Sequence, residues 1–138
     1  MRCAAILLAA LCLCGCADHG GRTPSKDRHT AYLDELQATR HTPYGPCIAT
    51  FHYLNDTGEA GVPAVLKALD LYSGPTNAPI RALIVDGAWH HARRSGKDEV
   101  LLPIMRRASE DPDASVSERA KKWLQTKEKR PTAARPNN

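Results

Sequence analysis

Proline and glycine divide this chain into short pieces, and that punctuation limits what it can build. His41-Thr42-Pro43, Gly45-Pro46, Thr57-Gly58, Ser73-Gly74-Pro75-Thr76-Asn77, Ser95-Gly96 and Asp111-Pro112-Asp113 each interrupt an apolar pattern. A residue before proline is driven out of the helical region, and glycine or asparagine leaves a helix at little steric cost. Between the breaks the apolar residues recur three and four apart, the period of one helical face. The chain has a single phenylalanine, so its core must come from Leu, Ile, Val and Ala, with Trp89 and Trp123 as large anchors. The expectation is an all-α fold of short helices. The one strand-like run, 47–54, has no partner segment to satisfy its backbone.

The pattern places a first helix over 28–40, with Tyr32, Leu33 and Leu36 on one face. A short second helix starts near Pro46 and carries a stripe of Ile48, Phe51, His52 and Leu54. The third starts around Gly58, capped by Asp56 or Thr57, with Val62, Val65, Leu66, Leu69 and Tyr72 on one side. The fourth spans 78–94 and turns Ile80, Leu83, Ile84, Gly87, Ala88 and His91 inward, with Arg93 and Arg94 at the negative end of its dipole. The fifth spans 97–110, and the sixth starts near Ala114 with Val116, Ala120, Trp123 and Leu124.

The amino-terminal segment has a different character. Met1-Arg2-Cys3 is followed by a run from Ala4 to Leu13 almost free of polar atoms. One basic residue, about ten apolar residues and small residues before a cut are the layout of a secretory signal peptide. The run is too short for a transmembrane helix, which needs about twenty apolar residues. Four regions are expected: a leader (1–15), a flexible tether (16–27), a helical domain (28–127) and a disordered basic tail (128–138).

Leu13-Cys14-Gly15-Cys16 resembles the bacterial lipobox, a branched aliphatic residue and two small residues before the modified cysteine. The resemblance implies that the thiol of Cys16 receives a diacylglyceryl group, that the leader is removed, and that the new amino terminus is acylated. Cys14 departs from the pattern, where Ala, Ser or Thr is commoner. Ala17, in place of an aspartate, implies sorting to the outer membrane on its periplasmic side. Three of the five cysteines, Cys3, Cys12 and Cys14, then leave with the leader, and the mature domain keeps only Cys47 unmodified. No intramolecular disulfide framework is open to it. Cys47 reads as a buried inert thiol, with a nucleophile or an intermolecular disulfide as alternatives.

The helices also come in pairs that look alike. Residues 61–69 and 100–108 are apolar helices with a proline near their start, and each is followed by a polar turn and a second helix, repeating after roughly 40 residues. Asp111-Pro112-Asp113, with Val116 and Arg119 after it, resembles the turn and second helix of HEAT-like repeats. That resemblance covers residues 46–127, two pairs and a leading helix, and implies antiparallel pairs stacked in a short solenoid. The first pair departs from it with a longer turn, 71–77, so an irregular helical bundle stays open.

Catalytic chemistry is scarce. His90 and His91 are adjacent and point about a hundred degrees apart on a helix, so they cannot chelate one metal together. There is no His-x3-His, Cys-x2-Cys, Gly-x-Ser-x-Gly or phosphate-loop pattern. Asp98-Glu99 reads as a helix-dipole partner. No catalytic residue, metal or cofactor is therefore expected, and an enzyme would need a perturbed histidine in a pocket with Cys47 or His91. The formal net charge of +4 includes Lys121, Lys122, Lys127, Lys129 and Arg130 near the carboxyl end. Nucleic acid is an odd partner for a lipoprotein of the envelope; anionic lipid or glycan fits that charge, and a solvated terminus with no specific site is the leading reading.

Two functions follow as expectations. In the first, second-helix residues Arg81, Asp86, Trp89, His90 and Arg93 line a surface that binds another envelope protein, such as a toxin to be neutralised or a subunit of an envelope machine. In the second, a structural or assembly lipoprotein touches the cell wall or membrane through its basic tail.

Overall fold

A computed structural model describes residues 25–128, with side chains from 28 to 127. The expected leader, the lipobox-like segment ending at Cys16 and most of the expected tether and basic tail lie outside the described residues. Six α-helices account for nearly all of the rest: α1 (Ser25–Thr39), α2 (Gly45–Thr57), α3 (Val62–Leu71), α4 (Ala78–Ser95), α5 (Asp98–Ser109) and α6 (Ala114–Glu128). No strand occurs among the described residues, and the fold is all-α. No described helix is long and apolar enough to cross a membrane.

The breaks work as the punctuation predicts. Pro46 and Pro63 sit in the first turns of α2 and α3, where their missing N–H is not needed. Gly96 leaves α4 in the left-handed conformation (φ 70°), and its N–H donates to the Ala92 carbonyl at 2.8 Å. Asp113 caps α6, its Oδ1 accepting the Ser115 N–H at 2.9 Å. The third helix departs from expectation. Gly58–Gly61 forms a 3₁₀ turn and α3 starts only at Val62. Thr57 does not cap it, because its hydroxyl donates back to the Tyr53 carbonyl at 2.6 Å.

Side-chain contacts give the topology. Tyr32 Oη lies 2.9 Å from Thr50 Oγ1, and His29 meets the Tyr53 hydroxyl, so α1 and α2 run antiparallel. Lys127 at the end of α6 pairs with Asp98 at the start of α5, so this pair is antiparallel too. Alternate helices are instead parallel, and the contacts between them join residues separated by nearly constant intervals. Tyr72 and Gln37 are 35 apart, His91 and Asn55 36, Arg107 and Asp70 37, Arg119 and Asp86 33. The result is three stacked antiparallel pairs, with α1, α3 and α5 in one layer and α2, α4 and α6 in the other. The repeat is slightly shorter than the expected spacing of roughly 40, and α1 completes a pair with α2 that the sequence pattern did not assign.

The core runs between the layers through Leu36, Leu54, Val65, Ile84, Leu101, Ile104 and Val116, all buried. The α2 and α4 helices pack closely, and Gly87 lets the α4 backbone rest against Cys47 and Thr50. The buried face of α2 is Pro46, Ala49, Thr50, Tyr53 and Leu54. This corrects the expected stripe: Ile48 is 51% exposed and His52 is exposed, because α1 and α4 take the two flanks of α2 on either side of Thr50.

Candidate functional site

The parallel course of α4 and α6 leaves a groove between them, floored by α5. It encloses about 560 Å³ and is walled by Trp89 and Trp123, the only two tryptophans in the chain. Val85, Leu101 and Met105, all buried, form its apolar floor. Charged side chains make the rim: Arg93, Arg119, Lys122 and Lys127 against Asp86 and Asp98. A sizeable apolar hollow with a few polar groups at its edge is the usual form of a ligand site.

Each rim group has a local cause. Arg119 Nη1 lies 2.9 and 2.7 Å from the two oxygens of Asp86, tying the upper ends of the walls together. Lys127 pairs with Asp98 at the other end, and its Nζ stands 5.5 Å from the centre of the Trp123 ring. The Arg93 guanidinium lies 4.9 Å from the centre of the Trp89 ring. Cations over indole faces are attracted by the ring quadrupole and hold the rings in place. Among the described residues, Arg93 and Lys122 make no ion pair, and both are exposed.

The structure sorts the expected surface residues. Asp86, Trp89 and Arg93 line the groove. His90 is exposed outside it, its ring edge-on to Trp89 at 4.9 Å between centroids. Arg81 is not a surface residue at all, and its expected place there is corrected: it is 1% exposed. Its guanidinium donates to both oxygens of Asp111, at 2.6 and 2.8 Å, and to the carbonyls of Tyr72 and Gly74. The pair holds the Arg81 pKa up and the Asp111 carboxyl below the usual carboxylate range, chiefly through the direct hydrogen bonds. Arg81 thus bolts the turn of one helix pair to the turn of the next.

The sequence places Lys122 and Lys127 only with the basic carboxyl end and gives Arg119, Trp123 and Thr126 no part in a binding surface. Arg119, Lys122, Trp123, Thr126 and Lys127 share one helical face, with spacings of three, four, seven and eight. That periodic mixture of tryptophan and cations was the signal available.

Cys47 and His91 lie outside the groove lining. Cys47 is half-buried, and burial, with Asp86 nearby, pushes its thiol pKa up, away from the reactive thiolate. His91 is buried, its Nδ1 2.8 Å from Asn55 Oδ1; burial and then the Lys97 charge lower its pKa. Among the described residues no three His, Cys, Asp or Glu side chains converge to hold a metal ion. Comparison with protein-family models, curated proteins and solved structures finds no match.

Proposed function

We propose that this protein is a lipid-anchored lipoprotein of the bacterial envelope whose helical domain is a non-enzymatic binding module, capturing another envelope protein in the groove between α4 and α6. The observation that carries the reading is the groove itself. Its walls are the chain's two tryptophans, each with a cation over it, and tryptophan and arginine are the side chains that most often dominate protein interfaces. Three stacked pairs of helices offer the extended, rigid surface that repeat proteins use for such work, in keeping with the HEAT-like turn at Asp111-Pro112-Asp113. The leader and the lipobox at Cys16 support the anchor and an outer-membrane destination. Lipid chains contribute roughly 0.8 kcal/mol of membrane affinity per buried methylene, so the several chains implied at Cys16 make attachment lasting.

The test is a tagged full-length chain expressed in a bacterium with an alkyne-bearing palmitate analogue, then isolated with its bound proteins at low and high salt. Label that disappears in Cys16→Ser, together with one stoichiometric protein that survives high salt, is the expected result. Cell-wall fragments or anionic lipid alone, released as salt rises, would replace the reading with a structural lipoprotein that works through its basic tail.

A further inference from the structure

The groove also specifies the chemistry of what it holds, and the inference that follows rests on the binding-module reading. Of its four rim cations, Arg119 is occupied by Asp86 and Lys127 by Asp98. Arg93 and Lys122 are left over, one on each wall, beside Trp89 and Trp123. The rim therefore has an excess of positive charge facing an apolar floor. From Arg119 to Lys127 is eight residues of helix, about 12 Å at about 1.5 Å per residue. That length matches about two turns of a helical ligand or about four extended residues.

We infer that the occupant is a short acidic peptide segment of a partner protein: one large apolar side chain enters between Trp89 and Trp123, and flanking carboxylates meet Arg93 and Lys122. The apolar side chain removes the indole faces from water, and the carboxylates give the two unpaired cations their counter-charge. A basic segment would meet like charge on both walls, and a purely apolar one would leave both cations without a partner.

Both tryptophans of the chain line this one groove, so intrinsic indole fluorescence reports on it directly. The purified full chain, in a non-ionic detergent, is titrated with an acetylated Glu-Glu-Leu-Phe-Glu-Glu peptide. Two controls replace every Glu by Lys, or Leu-Phe by Ala-Ala. The expected result is a saturable shift of indole emission with the acidic peptide, at least about tenfold weaker with either control and weakened by salt. Arg93→Glu combined with Lys122→Glu changes two exposed side chains outside the core and is expected to weaken binding by at least about tenfold as well.

Equal response to the acidic and basic peptides, or no response to either, overturns the inference. So does a shift produced by phosphatidylglycerol vesicles and not by the acidic peptide, which would make the groove a lipid site. The two readings fail separately. An envelope protein captured equally well by the double variant leaves the binding module standing and removes this occupant. Acidic-peptide binding with no captured protein does the reverse.

Discussion

Arg81, in the first turn of α4, and Asp111, in the turn before α6, meet as a buried two-point pair thirty residues apart in sequence. Nε–Oδ2 is 2.6 Å and Nη2–Oδ1 is 2.8 Å, and Nη1 serves the Tyr72 and Gly74 carbonyls on its other side. Two inter-helix turns are fixed by one guanidinium. Removing either partner leaves a buried charge uncompensated, which typically costs about 3–5 kcal/mol, a large share of the about 5–15 kcal/mol that holds a domain folded. Arg81→Met and Asp111→Ala are each expected to lower the unfolding free energy by that amount in urea denaturation. A loss below about 1 kcal/mol would mean that the turns hold without the pair.

The same pair sets an acid limit. Arg81 depresses the folded-state pKa of Asp111, so the carboxylate binds protons less readily folded than unfolded. Its contribution is complete above the unfolded value of about 3.9 and is lost as pH falls through the folded value. Stability measured across that acid range is expected to fall less steeply in Asp111→Asn than in the parent chain. Parallel curves would show that Asp111 does not drive the acid transition.

Arg119 makes an equally close pair with Asp86, but in solvent: the two side chains are 60% and 31% exposed. Exposed pairs contribute about 0–1 kcal/mol, because water screens them and ordering two side chains costs entropy. Arg119→Ala is therefore expected to leave the urea midpoint nearly unchanged, in contrast to Arg81→Met. A comparable loss in both would show that Arg119 supports the fold through the wall of the groove.

This contrast also marks where the sequence could be read and where it could not. The helix ends were legible because proline, glycine and capping aspartate act on their immediate neighbours, as at Pro46, Gly96 and Asp113. The sequence alone puts Arg81 on the surface, because arginine is rarely buried without a partner and its partner becomes visible only when the pairs are stacked. Ile48 falls on the apolar stripe of α2 because periodicity on one helix finds an apolar face without saying which flank the neighbours will cover. The groove was half legible. Asp86, Trp89 and Arg93 follow from the spacing within α4, whereas Arg119, Lys122, Trp123 and Lys127 join them only through the parallel placement of α6.

Gly87 tests the close approach of α4 to α2. A Cβ added there would press into the Cys47 carbonyl oxygen and stand 2.9 Å from the Thr50 Cβ. Helix propensity alone favours alanine over glycine by about 1 kcal/mol. The obstruction includes backbone, which cannot swing aside, and overpacking of this kind costs about 1–3 kcal/mol. With a backbone obstruction placing the cost in the upper part of that range, Gly87→Ala is expected to be destabilised by about 1–2 kcal/mol net, read as a lower thermal or urea midpoint. A stabilised variant would show that α2 and α4 can part to admit a methyl group without loss.

His91 gives the fold a second pH dependence, nearer neutrality. It is buried between α2 and α4, with Nδ1 against Asn55 Oδ1 at 2.8 Å and Lys97 close enough to oppose a second positive charge. Burial first, and Lys97 second, hold its folded-state pKa below the ordinary histidine value. The unfolded chain therefore takes up this proton before the folded chain does. Stability is greatest above the unfolded value of about 6.5, declines as pH falls below it, and levels off once the folded value has been passed. His91→Gln keeps a side chain able to donate to Asn55 but removes the titration. Comparing unfolding free energies at about pH 7.5 and about pH 5.5, the parent chain is expected to lose more stability than the variant on acidification. An equal loss in both would assign the neutral-range dependence to groups other than His91.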